Sequence, residues 1–101
     1  TGVIRHVVIW KMTADDAETR AAHAAEVARL LDGLVGVVPA IRSLSVGVNV
    51  AVPDTNADVA VVIDLDDLDA LEAYQTHPAH QQVVGYIRSV TGGRMAVDFT
   101  L

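Results

Sequence analysis

At 101 residues and a formal net charge of −6, the chain is long enough for one domain with a single hydrophobic core. Its seven Lys and Arg are scattered, which excludes the basic stripe that nucleic-acid binding requires. No apolar run approaches the ~20 residues of a membrane-spanning helix, and the lack of cysteine excludes disulfides and thiolate metal sites. Arg5 and His6 are followed by only four apolar residues before Lys11, unlike a signal peptide, so the expectation is a soluble cytoplasmic protein. Trp10, Tyr74, Tyr86 and Phe99 are the only aromatics, so the core falls to Val, Leu, Ile and Ala.

Residues 3 to 12 read as a strand, with Val3, Val7 and Ile9 on one face and Ile4, His6, Val8, Trp10 and Met12 on the other. Both faces are largely apolar, which implies cover on both sides. Thr13, followed three residues on by Asp16, predicts a helix N-terminus. The helix runs to about Leu34, and Ala17, Ala21, Ala24, Ala28, Leu31 and Val35 form its expected buried stripe. Gly33, Gly36 and Pro39 end it. A second strand spans 41 to 50, a turn falls at Pro53 to Asn56, and a third strand spans 58 to 65.

A short helix follows over 67 to 75. His77 precedes Pro78 and so leaves the helical region, and Pro78 opens a further helix to about Val90. Gly92-Gly93 is expected to turn the chain into a last strand, 94 to 101. The order predicts a ferredoxin-like α+β fold, a four-stranded antiparallel sheet with helices on one face. The other apolar face needs a partner, and a second copy of the chain is the simplest one.

Chemistry concentrates at Tyr74-Gln75-Thr76-His77-Pro78-Ala79-His80, where a phenol and two imidazoles meet a forced backbone break. His77 reads as the cap of the helix that follows it. His80 lies in that helix's first turn, where the dipole disfavours imidazolium and keeps a neutral base available. Two readings of His80 stand at this point: a base facing a cavity, or a ring tied to a nearby carbonyl that holds the corner rigid. Tyr74 likewise reads as a substrate-orienting phenol or a core aromatic. His6 reads as pocket lining or a hydrogen-bonded core histidine, and His23 as surface or flank. Asp64, Asp66, Asp67 and Asp69 lack the glycine and glutamate of a calcium loop and more simply start a helix.

The stretches Ile4-Arg5-His6-Val7-Val8-Ile9-Trp10-Lys11, Pro39-Ala40-Ile41-Arg42-Ser43-Leu44, Leu71-Glu72-Ala73-Tyr74-Gln75-Thr76-His77-Pro78-Ala79-His80 and Val97-Asp98-Phe99 resemble the Dabb family, stress-responsive dimeric α/β-barrel proteins. The resemblance implies a homodimer whose two sheets close into a barrel. It also implies a small carbonyl or polyketide-like ligand and cofactor-independent cyclase or lyase chemistry, with no cofactor and no metal ligands among the side chains. In one plant member, olivetolic acid cyclase, residues matching Tyr74, His80 and His6 serve an intramolecular aldol condensation. The implied roles are His80 as base, Tyr74 as stabiliser of the enolate and His6 as a further pocket residue. From their strand and helix faces, Val8, Trp10, Leu31 and Val84 are expected around the substrate, with Trp10 able to fill much of the space. Some plant relatives bind magnesium where the carbonyls of Asp32, Val35 and Val38 would converge here. A non-catalytic dimeric stress or interaction protein and a cofactor-independent monooxygenase are the alternative functions.

Overall fold

A computed structural model describes residues 2–101 of the chain. The elements run β1 (Ile4–Met12), α1 (Ala17–Asp32), β2 (Ile41–Val48), β3 (Val59–Leu65), α2 (Leu68–Thr76), α3 (Pro78–Val90) and β4 (Thr91–Thr100). The strands form one antiparallel sheet in the order β2-β3-β1-β4. This is the ferredoxin-like arrangement that the alternation of elements predicts.

Period-two patterning places Ile4, His6, Val8, Trp10 and Met12 of β1 beside Val59, Val61, Ile63 and Leu65 of β3 on one buried face. The helices cover that face. α1 lies chiefly over β2 and β3, α2 touches β1 and β3, and α3 packs on α1 and α2 and reaches β4. A fully buried side chain such as Ile63 contributes about 1.5–3 kcal/mol through area removed from water.

The buried stripe of α1 is rotated from the expected one. Ala24, Val27 and Leu31 are buried and the stripe continues through Leu34 and Val38, whereas Ala17, Ala21 and Val35 are exposed. The steps of three and four are the same in both stripes. The observed one buries valine and leucine where the other offers mostly alanine, so it removes more apolar area from water. The cap also differs: Asp16, in extended conformation, is the N-cap and accepts the Thr19 N–H.

The last strand begins earlier than the glycines suggest. Thr91 closes α3 in extended conformation and starts β4 directly, so Gly92-Gly93 lies within the strand. Lys11 faces Gly93 and Met12 faces Thr91, leaving Gly92 as the extra residue of a bulge. A Cβ at Gly92 would lie 2.5 Å from Thr13 Cγ2, so glycine is required there by close approach rather than by a turn. Gly92→Ala is expected to cost about 1–3 kcal/mol by overpacking. Thr13→Ser, which removes that methyl, should restore most of the loss, and thermal melts of the single and double variants check it.

β4 is bare on both faces for nearly its whole length. On the side away from the helices Met95, Val97 and Phe99 are 71%, 54% and 43% exposed. They stand in register with Ile9, Val7 and Arg5 of β1. The second apolar face read from β1 and β3 therefore extends onto β4.

Candidate functional site

The break at Pro78 is a double cap. His77 ends α2 and begins α3 with φ −63° and ψ 135°, and its Nδ1 accepts the Ala79 N–H at 3.0 Å. The ring is thereby committed to the turn. Tyr74, in the last turns of α2, and His80, in the first turn of α3, emerge on the same side of the break. Their ring centroids lie 4.3 Å apart with planes inclined at 49°. His6 reaches them from β1, its ring 6.0 Å from that of Tyr74 in an edge-on arrangement.

These three rings line a cavity of about 510 Å³ between the sheet and the α2–α3 pair, with Val8, Trp10 and Val84 on its walls. Trp10 is buried and borders the space without filling it. Leu31 lies elsewhere. It is 1% exposed within the core beneath α1, over the β2–β3 side of the sheet, and does not reach the cavity. Five of the cavity's lining residues escape a reading from the sequence: Gln75, Gln81, Arg88, Thr91 and Arg94.

Each ring is held in a defined state. His80 Nδ1 lies 3.0 Å from the Gln75 carbonyl, which can only accept, so the neutral ring donates from Nδ1 and keeps its lone pair on Nε2. Burial pushes the His80 pKa below the usual histidine value, opposed by that hydrogen bond and assisted by His6, Arg88 and Arg94. Desolvation is therefore the leading cause that keeps this base neutral. The Tyr74 hydroxyl is raised well above the ordinary phenol range by burial, with Arg94 opposing, and stays protonated as a donor. His6 Nδ1 meets Asp98 Oδ1 at 2.5 Å, a cross-strand pair set by the β1–β4 register. A carboxylate accepts, so this contact fixes the Nδ1–H tautomer and leaves His6 Nε2 as the other ring face.

The remaining polar features resolve into structural roles. Asp67 caps α2 through the Ala70 N–H, Asp64 pairs with Arg5, and Asp66 pairs with Arg42. The Asp32 carbonyl accepts the Val35 N–H and the Val38 carbonyl accepts the Ile41 N–H, closing the turns after α1. Among the described residues no three metal-ligating side chains gather. His23 is half-buried on α1, with an Nδ1 that finds no partner. No helix among the described residues is long and apolar enough to cross a membrane.

The sheet order and the cavity between sheet and helices define a ferredoxin-like α+β domain with a histidine- and tyrosine-lined pocket. Residues 4–101 match the model of the Dabb family, described as the stress responsive A/B barrel domain. The chain belongs to that family.

Solved structures agree on the fold. A dimeric protein of unknown function with a ferredoxin-like fold from Bacteroides fragilis superposes with a TM-score of 0.90 at 24% identity, covering 100% of this chain and 98% of that one. A dimeric ferredoxin-like protein of unknown function from Thermobifida fusca gives 0.84 at 29% identity, covering 100% and 93%. The hydroxynitrile lyase of Passiflora edulis shares the fold at a TM-score of 0.80 and 8% identity, covering 99% and 94%. No curated protein matches the chain.

Proposed function

We propose that this Dabb protein binds a small 1,3-dicarbonyl or polyketide-like molecule in the sheet–helix cavity and moves a proton on it. His80 Nε2 removes a proton from a methylene flanked by two carbonyls. The enolate oxygen that forms accepts a hydrogen bond from the Tyr74 hydroxyl. In a cyclisation of the olivetolic acid cyclase type, the enolate carbon then adds to a further carbonyl of the same molecule. The new alkoxide recovers the proton from His80. One C–H bond and the π bond of one C=O break, one C–C and one O–H bond form, and no oxidant is consumed.

The observation that carries this reading is the pairing of a neutral imidazole with a protonated phenol, centroids 4.3 Å apart, on one cavity wall. Both pKa directions suit the roles assigned. The Passiflora protein is named as a hydroxynitrile lyase, but at that identity the reading rests on the residues themselves. The second reading, a non-catalytic dimeric stress protein, draws on the bond from His80 to the Gln75 carbonyl, which braces the corner.

Deuterium exchange separates the two. The protein should accelerate replacement of the methylene protons of methyl acetoacetate by solvent deuterium, followed by proton NMR. Exchange at the buffer rate, with the protein folded, sinks the proton-transfer reading and leaves the structural one.

We further propose a homodimer formed through the open sheet face. Val7, Ile9, Val62, Met95, Val97 and Phe99 share that face, and the Bacteroides and Thermobifida relatives are described as dimeric.

A further inference from the structure

Of the seven cationic side chains, five are engaged within the described residues. Arg5, Arg29 and Arg42 pair with Asp64, Glu26 and Asp66. Lys11 donates to the Asn56 carbonyl and Arg20 to the carbonyls of Ala14 and Asp15. The other two, Arg88 and Arg94, donate to no protein group among the described residues, and both line the cavity.

The cavity lining is also free of carboxylates, although the chain carries 13 Asp and Glu against seven Lys and Arg. Asp98, which touches the lining residue His6, is committed to that ring. An acidic protein thus keeps an exclusively cationic and neutral wall in this cavity. The two guanidiniums come from different elements, Arg88 from the last turn of α3 and Arg94 from the start of β4. Arg88 also suits the negative end of the α3 dipole. That accounts for its place on the helix and not for the bare, carboxylate-free wall it shares with Arg94.

We propose that the ligand of this cavity is an anion, a keto acid whose carboxylate is held by Arg88 and Arg94 while its keto end lies at Tyr74 and His80. Guanidinium forks match carboxylate geometry and form charge-assisted hydrogen bonds. Both arginines also act electrostatically on His80, and Arg94 on Tyr74, so the anion-holding and proton-transfer groups sit in one field. The carbonyl half rests on the function proposed above. The anion half stands on the arginines alone.

Trp10, the only tryptophan, borders the cavity and reports binding by fluorescence. Acetoacetate and methyl acetoacetate share a carbon skeleton and differ in charge. Acetoacetate should bind the wild-type chain at least about tenfold more tightly, the effect of one charge-assisted hydrogen-bonded contact, and the advantage should shrink with added salt. Arg88→Met with Arg94→Met should abolish the difference between acid and ester.

Equal affinity for acid and ester, a difference that survives both substitutions, or no binding of acetoacetate at all would each overturn the proposal. Tighter binding of inorganic phosphate than of acetoacetate would overturn the carboxylate assignment. Butyrate binding as tightly as acetoacetate would keep the anion site and remove the keto contact at Tyr74 and His80. The two claims therefore fail separately.

Discussion

His80→Ala is expected to slow methylene exchange on methyl acetoacetate about 10²- to 10⁴-fold, the usual contribution of a positioned general base. The same change removes the bond to the Gln75 carbonyl, a loss of about 0.5–1.5 kcal/mol of stability. A lower melting temperature alone would therefore not distinguish the two readings of this residue. His80→Asn does, because its amide N–H imitates the Nδ1 donor and leaves nothing in place of the Nε2 lone pair. The asparagine variant should keep most of the melting temperature and lose the exchange.

Tyr74→Phe should cost about 10²- to 10³-fold, as for loss of one oxyanion donor. It should leave stability nearly unchanged, since no hydrogen bond contributes to the state of that hydroxyl. The pH profile supplies an independent check. His80 is the active base when neutral, and its pKa is lowered from 6.5 chiefly by burial. Activity should rise with pH through a midpoint below 6.5 and be flat near neutrality. The same shift makes stability contributed by this group complete above 6.5 and lost as pH falls toward the folded value. A rising limb centred well above 6.5, or wild-type exchange in the asparagine variant, would remove His80 from the chemistry.

The fold was legible in the sequence because each strand and helix carries its own periodicity. The alternation in Ile4–Met12 and Val59–Leu65 marks a sheet with two apolar faces, and Pro78 after His77 fixes the helix break without any tertiary information. Less legible were features on which two local signals compete. Thr13 and Asp16 are both good caps, and the stripe of α1 is decided by which residues are larger, not by spacing. Gly92 reads as a turn residue, whereas the constraint on it is the Thr13 methyl across the sheet.

The corner Tyr74–His80 was visible because its members are neighbours in the chain. The opposite wall was not. Arg94 and the His6–Asp98 pair are assembled by the β1–β4 register, which joins residues 92 apart, and Arg88 comes to the cavity from the last turn of α3. Leu31 failed as a wall residue for a related reason: it is buried as expected, but α1 lies over β2 and β3 while the cavity lies beside α2 and α3.

Val97→Lys should convert the proposed dimer to monomer at micromolar concentration in sedimentation velocity. Val97 is 54% exposed on the chain alone and faces Val7 in the middle of the open sheet face. Pairing of two such faces about a two-fold axis would bury both copies, so each substitution appears twice in the interface. A desolvated, unpaired ammonium costs several kcal/mol, and about 3 kcal/mol already weakens association more than 10²-fold. The exposed face would also lower the melting temperature and remove its dependence on protein concentration, because association stabilises the fold by mass action. Leu68→Lys is the control: Leu68 is 67% exposed at the start of α2, away from the sheet. That variant should sediment like the wild type. A wild-type chain that is monomeric under these conditions, or a Val97→Lys chain that remains dimeric, would mean that the open sheet face does not form the contact. The bare β4 strand makes this the sharper of the structural tests. Its two sides separate cleanly, with Met95, Val97 and Phe99 turned to the proposed partner and Arg94 and Asp98 turned to the cavity and His6.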